Sequence, residues 1–493
     1  MPDLRVPRRD FLKWSALGAT GLGLAGWAGT ARAALPLPDR VFLITIDTLR
    51  ADHLDFHGYV RPTTPFLSTL AAKGRIFDHA HTACNNTNPA HASLFTGLHI
   101  PQHGVMYNGQ DSLSQLLYTL PELFHDQGRE SSAFASVRWM NLFAPRYQHF
   151  QTYMGKYKQE NAVRLPYYQA NETIDNALGW LKGKTPDNKF LTWIHVYDPH
   201  DAALKEGAYP YHAPRQFEDA MRPATPESRA KLLDHWRNEQ KKQPGIYPWN
   251  GDEQKFLEYN CGYDAEIAFV DHEIERYYRA CEAQGLTQNS LWIFTSDHGE
   301  GLGSHGYLGH GMNIYQEQLH VPFFLHAPDA PTPARHASLV QHVDLFPTFL
   351  EWFGVASKDT RHALPGVSLL PLLDGRQEQL ADREIFAMRR KRVEKNHSEN
   401  WDPDPVYCVL DGKHKYIHRP EQPGEFYDLI ADPREQNNLI AAAHPRKDAL
   451  KASADAWYER LTKDAGEAAA VSDSYKEDLE ALGYLGKPKG AAN

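Results

Sequence analysis

A doubly wound α/β sheet, mostly parallel and flanked by helices, is the fold class that the sequence predicts, on three observations. Residues 41–46 (VFLITI), 190–197 (FLTWIHVY) and 291–296 (LWIFTS) are continuous apolar, β-rich runs, the composition of strands buried on both faces. Helical patterns at 65–73, 116–126 and 266–283 fall between these runs, as crossover helices do. Each run closes on an aspartate, Asp47, Asp198 or Asp297. Ligands of such sheets bind beyond the carboxyl ends of the strands, so these three aspartates are expected on one edge.

The remaining elements follow in order. After about Gly375 the pattern changes to short strand candidates at 406–410, 415–418 and 425–429 and a helix at 446–462, which predicts a smaller antiparallel sheet plus helix. The chain thus divides into a leader at 1–33, an α/β domain at 34–375 and a C-terminal subdomain at 376–493. A polar insertion at about 202–250, rich in Pro, Lys and aromatics, is expected over the ligand edge. Its aromatics Tyr209, Tyr211, Trp236, Tyr247 and Trp249 read by default as packing residues, with sugar stacking the alternative. There is no internal repeat, only a Gly/Lys/Ala tail after Leu485.

The leader carries Arg8-Arg9-Asp10-Phe11-Leu12-Lys13, a Gly/Ala-diluted apolar run at 14–30, and Ala31-Arg32-Ala33. That is the layout of a twin-arginine signal peptide, cleaved after Ala33, which places the mature protein in the periplasm. Twin-arginine export carries folded proteins, so a metal would be acquired before transport. Residues 1–33 carry a net +3, so their removal takes the formal charge from −10 to −13. A chain this acidic is not expected to bind nucleic acid. No other stretch is apolar enough to span a bilayer, so no integral membrane domain is expected in the mature form; the oligomeric state is left open. Four cysteines, Cys84, Cys261, Cys281 and Cys408, are too sparse for a disulfide framework and lack metal-ligand spacing.

Three segments carry chemistry. In ITIDTLRADH a buried strand delivers Asp47 to its end, as a metal ligand or as a loop cap. In TNPAHASLFTG, Thr87 precedes a Pro-started helix. It reads as an N-cap, or as a hydroxyl held where backbone N–H groups attract an anion. In TSDHGEG, followed by His305 and His310, the Asp297-His298 pair can offer oxygen and nitrogen to one ion.

Together these segments resemble the sulfatase family of the alkaline-phosphatase superfamily. The order continues through ITIDTLRADHLDFHGY, TTPFLSTLAAKG, TNPAHASLFTGLHIPQHGV, IHVYDPH, SDHGEGLGSHG, HVPFFLHAP and VQHVDLFPTFLEWFG, and closes with GEFYDLIADPREQNNL and LEALGYLG. The resemblance implies a hydrolase of anionic esters with one divalent metal held by Asp47, Thr87, Asp297 and His298. It also makes Thr87 the nucleophile, His310 a general acid or anion contact, and His200 a substrate-facing residue; the family's paired basic contact is not recognisable where Ser136 and Arg138 stand, and Arg138 is a candidate cation for the substrate.

Two departures matter. Thr48 and His298 stand where calcium-binding members carry a second aspartate and an asparagine, which moves the expected ion from calcium to manganese or zinc. A second metal would draw on Asp198, His200 and His310. The nucleophile segment reads Thr87-Asn88-Pro89-Ala90-His91 against the family's C/S-x-P-x-R, so no formylglycine is expected and His91 replaces a fixed cation. His91 is then a candidate catalytic contact to the nucleophile or an ester oxygen, or a residue that stabilises the turn. An unmodified threonine alkoxide suits phospho- and phosphonate esters. It suits sulfate esters less, because a threonine sulfate lacks the second hydroxyl that ejects sulfate. A transferase to a glycan or lipid and an inactive binding homologue are the rival readings.

Overall fold

A computed structural model describes residues 36–108, 111–114, 116–137, 150–152, 167–201, 210–239, 253–329, 333–359, 361–389, 405–463 and 469–470. The described residues fall within one compact unit, Leu35–Asn493; Met1–Ala34 lie outside the described residues.

Among the described residues the central sheet has eight strands: β1 (Arg40–Ile46), β2 (Arg75–His81), β3 (Glu130–Ala135), β4 (Phe150–Thr152), β5 (Phe190–Val196), β6 (Ser290–Ser296), β7 (Phe323–His326) and β8 (Ala334–Gln341). Their order is β4-β3-β5-β1-β6-β7-β2-β8, with β7 antiparallel to both neighbours and every other pair parallel. The three apolar runs are the adjacent central strands β5, β1 and β6, each buried along its whole length.

Alternation along these strands feeds two cores. Val41, Leu43, Leu191, Trp193, Leu291 and Ile293 face one side, against α2 (Thr87–Thr96), α3 (Leu120–Asp126) and α6 (Leu345–Phe353). Phe42, Ile44, Phe190, Ile194, Trp292 and Phe294 face the other, against α1 (Pro65–Ala71), α4 (Ala170–Leu181) and α5 (Glu253–Ala283). Phe42 stacks on Trp292 at 3.9 Å between centroids. The predicted helices are present, the last beginning earlier than its periodicity indicated, at Glu253.

Of the insertion, Arg215–Met221 and Pro226–Glu239 are helices. Tyr211 packs on Tyr259 and Tyr263, and Trp236 on Phe256, so these two aromatics are core residues. Tyr209, Tyr247 and Trp249 lie outside the described residues.

A four-stranded antiparallel sheet follows: β9 (Ile385–Met388), β10 (Tyr407–Leu410), β11 (His414–His418) and β12 (Glu425–Asp428), covered by the helix Pro445–Lys463. Strand β9 had no counterpart in the sequence pattern. All four cysteines are buried and none forms a disulfide among the described residues. No helix of the described residues is long and apolar enough to cross a membrane.

Candidate active site

Register assembles the site. On β1 and β6, Ile46 pairs with Ser296, and the next residue on each strand is an aspartate, Asp47 or Asp297. Ile46 also pairs with Val196, which puts Tyr197 level with the two aspartates and Asp198 one position beyond. Side chains alternate between faces, so Asp198 turns to the opposite side of the sheet. There burial pushes it up to about 7, with Glu172 and Glu273 adding to the rise against two backbone hydrogen bonds, and Asp198 in turn raises Glu266. The expected convergence therefore holds for Asp47 and Asp297 and fails for Asp198. The alternative set Asp198, His200 and His310 forms no ligand cluster among the described residues.

Asp47, Asp297 and His298 are fully buried and bring one ligand atom each within 4.8 Å of the others. His298 Nδ1 donates to the Gly299 carbonyl at 2.9 Å, which leaves Nε2 as a lone pair facing inward. That Nε2 lies 3.4 Å from Asp297 Oδ2, 3.8 Å from Asp47 Oδ1 and 3.4 Å from the Thr87 hydroxyl. Asp297 Oδ1 accepts from the backbone N–H groups of Thr48 and His298. Thr48 adopts φ 54°, a costly conformation for a β-branched residue, and this turn aims its N–H at Asp297.

Both oxygens of Asp47, and Oδ2 of Asp297, have no hydrogen-bond partner. Burial, then the neighbouring Asp297, pushes Asp47 well above the ordinary carboxylate range. Burial opposes ionisation of Asp297 too, but His298, His91 and His195 hold it at about 2. Orphaned carboxylate oxygens around an imidazole lone pair are the donor set of a divalent ion, and the residues present fit one.

Thr87 opens α2 and is fully buried; the N-cap position belongs to Asn86, whose side chain makes no cap hydrogen bond. This corrects the reading of Thr87 as the cap. The side-chain NH2 groups of Asn86, Asn88 and Asn108 are buried without partners, and Asn108 Oδ1 accepts the Asn88 N–H at 2.9 Å. Sequence reasoning passed over these amides because asparagines at helix starts and turns read as caps and turn formers.

His91 holds the turn and not the nucleophile's hydroxyl. Its Nδ1 donates to the Thr87 carbonyl at 2.8 Å and its Nε2 pairs with Thr45 Oγ1 at 3.0 Å, so neither nitrogen meets the Thr87 hydroxyl. His310 stands beside the cluster, its ring 4.4 Å from that of His298 and 4.8 Å from that of His200. His310 Nδ1 pairs with Glu300 Oε2 at 3.1 Å. Glu300 is buried, and burial pushes it up to about 8. With Glu300 protonated and donating to Nδ1, the proton of the neutral His310 ring sits on Nε2. Glu300, inside the SDHGEG motif, was not assigned a role from sequence. His200 stacks on Tyr197 and donates from Nδ1 to the Asp201 carbonyl. Arg138 lies outside the described residues.

The turn that carries these groups has no room for side chains. A Cβ on Gly299 would meet the Glu317 carbonyl oxygen at 2.0 Å, and one on Gly301 the Tyr307 oxygen at 2.4 Å.

The sulfatase family profile matches residues 39–355, and the profile of the N-sulphoglucosamine sulphohydrolase C-terminal region matches residues 303–459. This chain belongs to the sulfatase family. Sulfatase-family proteins are ester hydrolases, and members of the superfamily bind a divalent metal. A multifunctional alkaline phosphatase superfamily protein, PehA of Trinickia caryophylli, is 27% identical over 81% of this chain and 90% of its own. A Δ4,5-hexuronate-2-O-sulfatase of Bacteroides thetaiotaomicron is 23% identical over 85% of this chain and 87% of its own. The phosphonate monoester hydrolase of Agrobacterium radiobacter shares the fold at TM-score 0.62 and 21% identity, covering 87% of this chain and 95% of that one.

Proposed function

We propose that this sulfatase-family hydrolase is metal-dependent and cleaves phospho- or phosphonate esters through a covalent intermediate on the unmodified hydroxyl of Thr87. The observation that carries this reading is the placement of Thr87 Oγ1, buried at the start of α2 and 3.4 Å from the inward-facing nitrogen of His298.

Asp47, Asp297, His298 and Thr87 would hold a manganese or zinc ion. When bound, it supplies Lewis-acid stabilisation of developing negative charge. Thr87 would react as the alkoxide, its hydroxyl proton already lost to solvent; Oγ attacks phosphorus, the Oγ–P bond forms and the bond to the leaving oxygen breaks. His310 delivers its Nε2 proton to that oxygen, and Glu300 resets the ring through Nδ1. Water then cleaves the Thr87 ester, and His310 takes the proton back. His91 and the Thr45 hydroxyl fix the Thr87 backbone, and His200 lines the leaving-group side.

With two carboxylates and uncharged amides flanking the nucleophile, the site suits a singly charged ester, a phosphodiester or phosphonate monoester, over a dianionic phosphate monoester. That same charge count favours sulfate esters as the second reading. Export through the twin-arginine leader to the periplasm belongs to the proposal; N-terminal sequencing of the mature protein tests cleavage after Ala33.

Rates on matched aryl phosphate monoesters, diesters, phosphonate esters and sulfates, with Mn2+ or Zn2+, test the substrate class. The fastest turnover is expected on the diester or phosphonate ester, with a phospho-group trapped on Thr87. Dominant sulfate turnover with an aldehyde detected in 84–96 would sink the reading.

A further inference from the structure

One buried amide ties together the three segments that carry the site. Gln318 is fully buried on the short helix Gln316–Leu319. Its backbone carbonyl accepts the Gly299 N–H at 3.0 Å, in the turn directly after His298. Its side-chain Oε1 accepts from Asn85 Nδ2 at 2.9 Å, two residues before Thr87. Its Nε2 donates at 3.3 Å to the carbonyl of Gly309, the residue before His310.

The orientation of both amides follows from their neighbours. A peptide carbonyl only accepts, so the Asn85 atom that meets the Asn313 carbonyl is its NH2. That NH2 gives its second proton to Gln318, which therefore presents oxygen to Asn85 and nitrogen to Gly309. Turning either amide over would set an amide oxygen against a peptide carbonyl in a buried place. The Gly309 carbonyl also accepts the Gly301 N–H at 3.2 Å, so both of its lone pairs are used and the peptide that leads into His310 is held.

We infer that Gln318 is a positioning residue, whose side chain sets His310 against Thr87 by joining the loop that carries one to the loop that carries the other. The inference rests on the reading, proposed above, of Thr87 as nucleophile and His310 as the group that serves the leaving oxygen. Gln318 moves no proton itself; it acts through the Gly309 carbonyl. A shift of about 1 Å at a catalytic group is enough to cost on the order of 10^2-fold in rate.

Gln318→Met keeps the volume and loses both side-chain bonds. Gln318→Asn keeps a carboxamide that is too short to span both partners, and serves if the Met variant does not fold. Rates on alkyl and nitrophenyl esters of one phosphodiester series are to be compared in the wild-type and His310→Ala backgrounds, with metal content and melting temperature measured alongside. Either variant is expected to lose about 10- to 10^2-fold in kcat on the alkyl ester and less than about threefold on the nitrophenyl ester, with KM and metal content near wild type. Combined with His310→Ala, it should cause no further loss, because the two changes remove one function. Wild-type rates, a loss equal for both leaving groups, or a loss that adds in full to that of His310→Ala would overturn the inference. The reading of His310 stands in those cases if His310→Ala alone discriminates between the two esters. If His310→Ala loses equally on both, the reading falls and the inference with it.

Discussion

His298 turns its Nε2 toward the Thr87 hydroxyl, 3.4 Å away, because its other ring nitrogen is committed to the Gly299 carbonyl. Candidate nucleophile and candidate metal ligand are thus held by two rigid elements, the start of α2 and the end of β6. Thr87→Ala is expected to lower kcat/KM by about 10^4-fold or more while leaving the melting temperature and metal content near wild type. Thr87→Ser, which keeps the hydroxyl, should retain activity within about tenfold. Steady-state kinetics with intact-mass analysis decides; an Ala variant within tenfold of wild type removes Thr87 from its role.

Chelation should destabilise the fold, since it leaves Asp47 and Asp297 buried together with orphaned oxygens. An ion that binds only the folded state contributes about 2.7 kcal/mol at a free concentration of 100 Kd. A scan of melting temperature against EDTA, reversed by Mn2+ or Zn2+ and not by Ca2+, is the expected pattern.

His310 should act on the leaving group. His310→Ala is expected to reduce kcat by about 10^2- to 10^4-fold for alkyl esters and by much less for nitrophenyl esters, whose leaving groups need no proton. A uniform loss across leaving groups would assign His310 to anion binding instead.

His305 supplies a pH dependence away from the metal cluster. It donates Nδ1 to Glu317 Oε1 at 2.9 Å and Nε2 to the Glu435 carbonyl at 3.0 Å. Burial opposes its protonation, but Glu317 and Glu435 hold it up to about 9. The folded state therefore binds this proton more tightly than the unfolded chain, whose value is 6.5. The contribution to stability is complete below pH 6.5 and lost as pH rises through about 9. Melting curves between pH 6 and 10 should show that loss in the wild type and a flatter profile in His305→Gln.

The fold was legible because buried parallel strands read as continuous apolar runs, and the three that were found are the central three. Strands β2 and β8 escaped because RIFDHAH and ARHASLVQ mix charge into the run, as strands further from the sheet centre can. At the site, Asp47, Asp297, His298 and Thr87 were readable from their motifs. Asp198 was misplaced for want of one count: it sits one residue further past its strand than the other two. His91 was ambiguous from sequence, since a histidine one turn into a helix can point to substrate or back to its own backbone.

The partners at this centre come from opposite ends of the catalytic fold: the N–H of Thr48 and the carboxylate of Asp297 that it meets are 249 positions apart in the chain. Local folding of neither segment completes the centre; it exists only once β1 and β6 have closed a very long loop, an entropically costly event. An ion bound there acts as a latch on that closure and must leave, or carry its ligands apart, before the sheet can open. If the site holds an ion, its removal is expected to speed the opening of the seam between β1 and β6.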